Sequence, residues 1–143
     1  MIERYVIYGL LGLNLEVLWT GATSLFGSDA NLMGHTSIWM FFIYGTAVFL
    51  LEPVYKKINT LQWYIRGAIW VAVIFVIEFA AGIILKAVGV TAWEYTNQFS
   101  FMGLIRFDFA PLWFITGLIF EAVYSMLLKY NIGIQTGKED NGL

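Results

Sequence analysis

Four stretches of this sequence are each long and apolar enough to cross a lipid bilayer, and each carries one glutamate. A spanning helix requires about 20 mostly apolar residues. The four windows cover about 4–25, 37–55, 61–88 and 109–128. They predict an all-α polytopic membrane protein in which residues 1–130 form one bundle of four transmembrane helices. The polar residues 131–143 are predicted to form a cytoplasmic tail.

The composition excludes most soluble classes of protein. Of the 143 residues, 59% are hydrophobic and only 13% are charged, whereas soluble domains contain about 25% charged residues. Such a chain has too little polar surface to cover its apolar side chains in water. The net charge of -2 and the lack of a basic stripe predict no nucleic-acid partner. The chain has no cysteine, so disulfides and thiolate metal sites are excluded.

Lysine and arginine are divided unequally between the two ends of the predicted helices. If the N-terminus is cytoplasmic, six of the eight fall on the inner side and two on the outer side. The inner residues are Arg4, Lys56, Lys57, Arg66, Lys129 and Lys138, and the outer residues are Lys86 and Arg106. Because basic connections tend to stay in the cytoplasm, this predicts a multi-pass protein of the cell membrane with both termini inside.

The first window could be mistaken for a cleaved signal peptide, because Arg4 precedes an apolar run. Asn14 and Glu16 interrupt that run, which predicts a retained helix instead. The second window contains Glu52 next to Pro53 near its inner end, which predicts that this helix ends or kinks there.

The two outer connections are predicted to differ from the short basic inner one at 56–60. Residues 22–36 are polar and include Gly27, Asp29, Asn31, Gly34 and His35. Residues 89–108 mix aromatic and polar side chains, a pattern typical of a segment that lies in the membrane interface or dips back into the protein.

The two halves of the chain share a spacing that suggests an internal duplication. Arg4 and Glu16 are twelve residues apart, as are Arg66 and Glu78. The second helix of each half ends in Glu-x-Val-Tyr. These segments are Glu52–Tyr55 and Glu121–Tyr124. The pattern predicts two helical hairpins of the same orientation, related by an axis along the membrane normal.

Charged groups inside a bilayer are costly, at about 2.5–3.5 kcal/mol each on insertion scales. The four glutamates must therefore be protonated, paired, or exposed to water inside the bundle. Small residues recur near them on the same helices, and small residues allow helices to approach closely. They are Gly9, Gly12, Gly45, Gly82 and Gly117. The glutamate faces are therefore predicted to be helix–helix faces.

Depth divides the glutamates into two pairs, since twelve residues of helix span roughly 18 Å. Glu52 and Glu121 are predicted near the inner end, at the depth of Arg4 and Arg66, which favours structural ion pairs. Glu16 and Glu78 are predicted in the outer half. Their candidate partners are Arg106, Lys86, His35 or each other. Two carboxyls in a medium of low dielectric could share a proton or hold a cation or a polar headgroup.

The remaining candidate binding residues lie in the outer connections. His35, ahead of a helix start that Thr36 or Ser37 would cap, is interpreted either as a solvated residue or as a ligand-binding group. Trp93 and Asn97 could order the connection between the third and fourth helices or belong to an aromatic belt. No histidine and cysteine spacing indicates a metal site, and no cofactor is predicted.

Several motifs spread over nearly the whole chain resemble one family. They are the Tyr8-Gly9 to Glu16-Val17 stretch, Gly34–Gly45, Trp93-Glu94-Tyr95-Thr96, Phe101–Ile105 and Ala110–Phe114. Together they resemble the transmembrane protein 229 family and bacterial membrane proteins described as type IV ABC-transporter-like. The resemblance implies a multipass membrane protein and brings no defined activity. Since the sequence contains no ATP-binding motif, an ABC role would require a separate ATPase.

One position departs from the bacterial pattern. There the third helix is followed by a motif similar to Trp-Asp-Tyr-Ser and then Gly-Arg-Ile, whereas this chain has Gly103-Leu104-Ile105. A role of the family arginine therefore does not carry over to this position. The sequence leaves open whether Arg106 takes its place.

Three functions are compatible with these features. The first is a transport component, or a bundle that binds a small solute or lipid headgroup through Glu16 and Glu78. The second is an intramembrane enzyme acting on a lipid, in which Glu94, Asp108, His35 and the two outer glutamates would supply acid and base groups near the interface. The third is a structural or assembly subunit whose glutamates are all paired. Membrane lipid is an expected partner, and four helices are few for a carrier, so a second copy or a partner membrane subunit is also expected.

Overall fold

A computed structural model describes residues 1–27 and 30–133 of the chain. In it, four long apolar helical segments form a bundle, as the hydrophobic windows predict. The segments are Ile2–Gly27, Ile38–Ile58, Trp63–Ala87 and Phe107–Lys129, and each is long and apolar enough to cross a membrane. Asp29, Lys138 and all of the predicted tail beyond Gly133 lie outside the described residues.

The described residues contain five α-helices and two short strands. The helices are α1 (Ile2–Ser24), α2 (Ile38–Gly45), α3 (Ala47–Ile58), α4 (Trp63–Ala87) and α5 (Ala110–Lys129). A 3-10 turn follows α1 at Leu25–Gly27, and another precedes α5 at Phe107–Phe109. The strands β1 (Ser100–Phe101) and β2 (Ile105–Arg106) form an antiparallel ribbon in the connection between α4 and α5.

The second hydrophobic segment is interrupted at Thr46, between α2 and α3, and not at Pro53 as the sequence suggested. Thr46 donates its hydroxyl to the Ile43 carbonyl oxygen at 2.6 Å, and its backbone N–H contacts the carbonyls of Phe42 and Ile43. A threonine hydroxyl that bonds to the preceding turn commonly bends a helix. Helix α3 continues through Pro53 to Ile58.

The first hairpin is held together where aromatic rings of one helix lie against glycines of the other. Phe41 and Tyr44 of α2 cover Gly9 and Gly12 of α1, so that a Cβ atom at either glycine would overlap a ring. Gly45 is covered in the opposite direction by Tyr5 of α1. The close approach predicted from the small residues is therefore made here by ring-on-glycine contacts.

The second hairpin, formed by α4 and α5, is held together by the same ring-on-glycine contacts. Trp70 of α4 lies on Gly117, and Phe114 of α5 lies on Gly67. Gly82, in contrast, is not covered by a helix. It accommodates the side chain of Leu104 from the β-ribbon, which packs the connection between α4 and α5 onto the bundle.

The two hairpins meet in an aromatic core. The largest fully buried side chains are Tyr8, Trp70 and Tyr124. Tyr8 of α1 stacks on Phe120 of α5 with ring centroids 5.6 Å apart, and Tyr55 of α3 meets Tyr124 edge to face at the same separation. Aromatic pairs in these geometries stabilise a core beyond the area they bury.

Candidate functional site

The bundle has two chemically different ends. We call the end that carries Arg4, Lys56, Arg66 and Lys129 the basic end, and the end formed by residues 30–37 and 88–109 the loop end. The four glutamates are divided between them. Glu52 and Glu121 lie towards the basic end, and Glu16 and Glu78 lie towards the loop end.

At the basic end, both glutamates are paired with arginines. Arg4 lies 3.4 Å from Glu52 and Arg66 lies 3.0 Å from Glu121, with both carboxylates almost fully buried. A buried carboxylate requires this kind of charge partner together with hydrogen bonds to its remaining lone pairs. The structure pairs the four residues that the sequence grouped by depth as Arg4 with Glu52 and Arg66 with Glu121, a combination that the sequence did not specify.

A third residue completes each pair, and the sequence analysis missed it. The Tyr8 hydroxyl donates to Glu52 Oε1 at 3.2 Å, and the Trp70 indole N–H donates to Glu121 Oε1 at 2.5 Å. Tyr8 follows Arg4 by four residues and Trp70 follows Arg66 by four, so each lies on the same helix face as its arginine. This spacing could have identified both residues.

At the loop end, Glu16 and Glu78 are half-buried and line a cavity of about 1060 Å³. The two carboxyls are close enough to interact electrostatically. One oxygen of each, Oε2, is buried and has no hydrogen-bond partner. No lysine or arginine among the described residues forms an ion pair with either. The carboxyl groups of Glu16 and Glu78 therefore have fewer hydrogen-bond and ion-pair partners than those of Glu52 and Glu121.

Glu78 lies among side chains that can donate hydrogen bonds. The Tyr95 hydroxyl donates to Glu78 Oε1 at 3.3 Å. The indole nitrogen of Trp113 faces the same carboxyl, but Nε1 is buried and makes no hydrogen bond. Trp113 is 8% exposed. Glu78 thus lies beside two uncharged donors, the Tyr95 hydroxyl and the Trp113 indole N–H.

Glu16 lies beside the segment that leads into α2. The Thr36 hydroxyl is next to its carboxyl, and His35 is close enough for an electrostatic interaction. Thr20, one turn further along α1, fixes this segment because its hydroxyl accepts a 2.9 Å hydrogen bond from the His35 backbone N–H. Ser37 caps α2 by accepting from the Trp39 N–H. His35 itself is exposed.

Aromatic rings form much of the remaining cavity wall. Phe109 contacts Trp19, Tyr95 and Trp113 edge to face, with centroid separations of 5.9, 5.7 and 6.1 Å. All four rings line the cavity. Tyr44 joins them from α2 and lies within electrostatic reach of both Glu16 and Glu78.

The two cations expected as partners of the outer glutamates are engaged elsewhere. Arg106 forms two hydrogen bonds with Asp108, at 2.8 and 2.7 Å, and stacks 4.2 Å above the Phe109 ring centroid. The hydrogen bond to Asp108 raises the pKa of Arg106, so the guanidinium stays charged. Lys86 lies 3.6 Å from Glu94, in a pair whose side chains are largely exposed.

The connection between α4 and α5 covers one side of the cavity. Trp93 donates its indole N–H to the Leu104 carbonyl at 2.9 Å, and the Tyr95 N–H donates to the Gly103 carbonyl at 3.0 Å. Gly103 has φ of +70°, which a residue with a side chain rarely adopts. Burial and the neighbouring Glu78 raise the pKa of Tyr95, so its hydroxyl stays protonated and can donate.

Five of the six candidate binding residues line this cavity, namely Glu16, Glu78, His35, Trp93 and Arg106. The sixth, Asn97, does not. It lies before β1, where its carbonyl accepts hydrogen bonds from the N–H and hydroxyl of Ser100, and its side chain lies near Asp108. Asn97 therefore stabilises the loop and is not part of the cavity wall.

The cavity residues Tyr44 and Trp113 were not predicted. Both lie inside apolar windows, where an aromatic residue is ordinarily part of a core or belt. They occupy equivalent places in the proposed repeat, eight residues before Glu52 and eight before Glu121. Extending the repeat backwards from its glutamates would have paired them.

Within the residues that the structure describes, no group of three histidine, aspartate or glutamate side chains could hold a metal ion. No family model matches the chain. No solved structure matches it either. The chemistry of the loop-end cavity is therefore the main source of information about function.

Proposed function

We propose that this chain is an integral protein of the cell membrane, crossed by its four apolar helical segments, with both termini in the cytoplasm. The length and composition of the helices support the insertion. The excess of lysine and arginine at the basic end supports the orientation, since such residues are retained in the cytoplasm. We further propose that the chain is related to the transmembrane protein 229 family, on the motifs given above.

We propose that the protein acts as a transport component that binds a small solute or a lipid headgroup in the loop-end cavity. The observation that carries this proposal is the contrast between the two pairs of glutamates. Glu52 and Glu121 have arginine partners, whereas Glu16 and Glu78 line a cavity and have none. Ionisable groups at membrane depth that are not used for structure commonly belong to a substrate or ion pathway.

The same contrast argues against a purely structural role. A scaffold would gain from pairing all four carboxyls, because an unpaired buried carboxylate is costly. The contacts of two other acidic residues favour binding over enzymatic chemistry. Glu94 and Asp108, which an enzyme acting at the interface could use, are engaged with Lys86 and Arg106.

Native mass spectrometry of the protein in a mild detergent tests the binding function. We expect the wild type to retain a small molecule or lipid that is absent from Glu16→Gln and Glu78→Gln. The matched control is Glu3→Gln, at an exposed position of α1 that does not line the cavity. Identical bound species in all four proteins would overturn the proposal.

The orientation has its own test, which benefits from the lack of cysteine in the chain. Single cysteines are introduced at the exposed positions Lys57, at the basic end, and Phe99, at the loop end. A membrane-impermeant maleimide added to intact cells should label Phe99→Cys and not Lys57→Cys. The reverse labelling would show that the orientation is inverted.

A further inference from the structure

We infer that the ligand of the loop-end cavity is a hydrophobic organic cation, that is, an amine or quaternary ammonium group attached to an apolar body. This inference rests on the proposed function and specifies its substrate class. It is carried by three features of the same cavity: its unmatched negative groups, its aromatic walls and its size.

The charge of the cavity is unbalanced. Glu16 and Glu78 both lack an arginine or lysine partner in the described part of the chain, and each leaves Oε2 without a hydrogen bond. Arg106 also lines the cavity, but Asp108 compensates its charge through two hydrogen bonds. His35 faces Glu16 from an exposed position. A bound cation would supply the missing counter-charge.

The walls favour a cation that carries apolar groups. Trp19, Tyr44, Tyr95, Phe109 and Trp113 all line the cavity. An ammonium group within about 6 Å of an aromatic ring face is attracted by the ring, and the attraction is largest where water is excluded. The same rings provide apolar surface for the body of the ligand. An anion, in contrast, would face two carboxyls.

The size of the cavity favours an organic ligand over a simple metal ion. Its volume of about 1060 Å³ is just above the usual range for organic ligands, roughly 300–1,000 Å³. A hard cation such as calcium requires about six to eight oxygen ligands at short distance. No cluster of three metal-binding side chains occurs among residues 1–27 and 30–133.

Two ions of the same size and opposite charge test the inference directly. Tetraphenylphosphonium and tetraphenylborate have nearly the same shape and apolar surface, so they differ mainly in charge. We expect tetraphenylphosphonium to quench the tryptophan fluorescence of the detergent-solubilised full-length protein with saturation. Tetraphenylborate should bind at least tenfold more weakly. Equal affinities would overturn the inference, since they would reflect hydrophobic partition alone.

The variants then connect the binding to the cavity. Glu16→Gln and Glu78→Gln should each weaken tetraphenylphosphonium binding about tenfold or more, and Glu3→Gln, outside the cavity, should leave it unchanged. Unchanged binding in both amide variants would also overturn the inference. If a variant fails to fold by circular dichroism, the comparison of the two ions on the wild type still decides, and Trp113→Leu provides a second change at the same site.

The cationic group could come from a free amine or from the headgroup of a choline lipid. Nanodiscs of phosphatidylcholine and of phosphatidylglycerol separate these sources. Loss of tetraphenylphosphonium binding only in phosphatidylcholine indicates a lipid headgroup, and retention in both indicates a free amphiphilic amine. Either result supports the cation class.

Failure of the inference can be distinguished from failure of the proposed function. If neither ion binds specifically, but native mass spectrometry finds a neutral or anionic molecule whose retention requires Glu16, the proposed function stands and the cation class is wrong. If no molecule is retained and neither ion binds, both are wrong.

Discussion

Trp70 and Glu121 are joined by a buried hydrogen bond of 2.5 Å from the indole N–H to Oε1, while Arg66 approaches the same carboxylate at 3.0 Å. Tyr8 and Glu52 form the corresponding contact in the other half of the bundle, with Arg4 as the cation. The two halves therefore fix their helices with the same set of groups: an arginine, an aromatic donor one turn later, and a glutamate on the second helix.

Removing Glu121 should destabilise the bundle strongly. Glu121→Ala leaves Arg66 and the Trp70 indole without their acceptor, and breaking a buried pair in this way costs about 3–5 kcal/mol. Thermal unfolding in detergent, followed by circular dichroism, should show a clear loss of stability. The control is Glu94→Ala, which breaks an exposed pair with Lys86 and should cost about 0–1 kcal/mol. Equal melting temperatures for the two variants would contradict the structural role of Glu121.

Neutralising Glu78 should have little effect on stability. Glu78→Gln keeps an oxygen that can accept the Tyr95 hydroxyl hydrogen bond, and it removes a half-buried carboxyl that has no cationic partner. We expect a change in the free energy of unfolding below about 1 kcal/mol, measured in the same experiment as for Glu121. A loss as large as that of Glu121→Ala would mean that Glu78 is structural and would weaken the binding proposal.

A methyl group at Gly117 should force α4 and α5 apart. The Cβ of Gly117→Ala would overlap the Cβ and indole ring of Trp70, which is 1% exposed and cannot move aside. Overpacking of this kind typically costs about 1–3 kcal/mol. Gly27→Ala is the matched control, because nothing lies within 4 Å of its added Cβ. Unfolding temperatures that are the same for both variants would contradict the close approach of these two helices.

Removing the Tyr95 hydroxyl should loosen the connection between α4 and α5. Tyr95→Phe loses the hydrogen bond to Glu78, which is worth about 1 kcal/mol, and retains the backbone bond to Gly103. Hydrogen–deuterium exchange should become faster over residues 93–106 and stay unchanged in α1. Tyr64→Phe, at a side chain that is 54% exposed, is the control. Unaltered exchange in Tyr95→Phe would show that the hydroxyl does not hold the loop.

The sequence by itself determined the four helices, because an apolar run of about 20 residues has the length of a spanning helix, in which every backbone hydrogen bond is made within the run. It also predicted that Glu52 and Glu121 lie at the depth of Arg4 and Arg66, since helix rise converts residue spacing into depth. The separate position of Glu16 and Glu78 followed from the same depth, whereas the pairing of Arg4 with Glu52 and of Arg66 with Glu121 came only from the structure.

The tertiary structure decided what depth alone leaves open, namely which side chains face each other across helices. Tyr44 and Trp113 look like core residues in the sequence, and only packing brings them to the outer glutamates. The sequence offers Arg106 as a partner for Glu78, but in the structure the Arg106 guanidinium forms two hydrogen bonds with Asp108, two residues further along the chain. The helix break lies at Thr46, whose hydroxyl donates to the Ile43 carbonyl, whereas Pro53 lies inside the continuous helix α3. Such choices depend on which of several possible contacts a side chain makes, and residue spacing alone does not encode that competition.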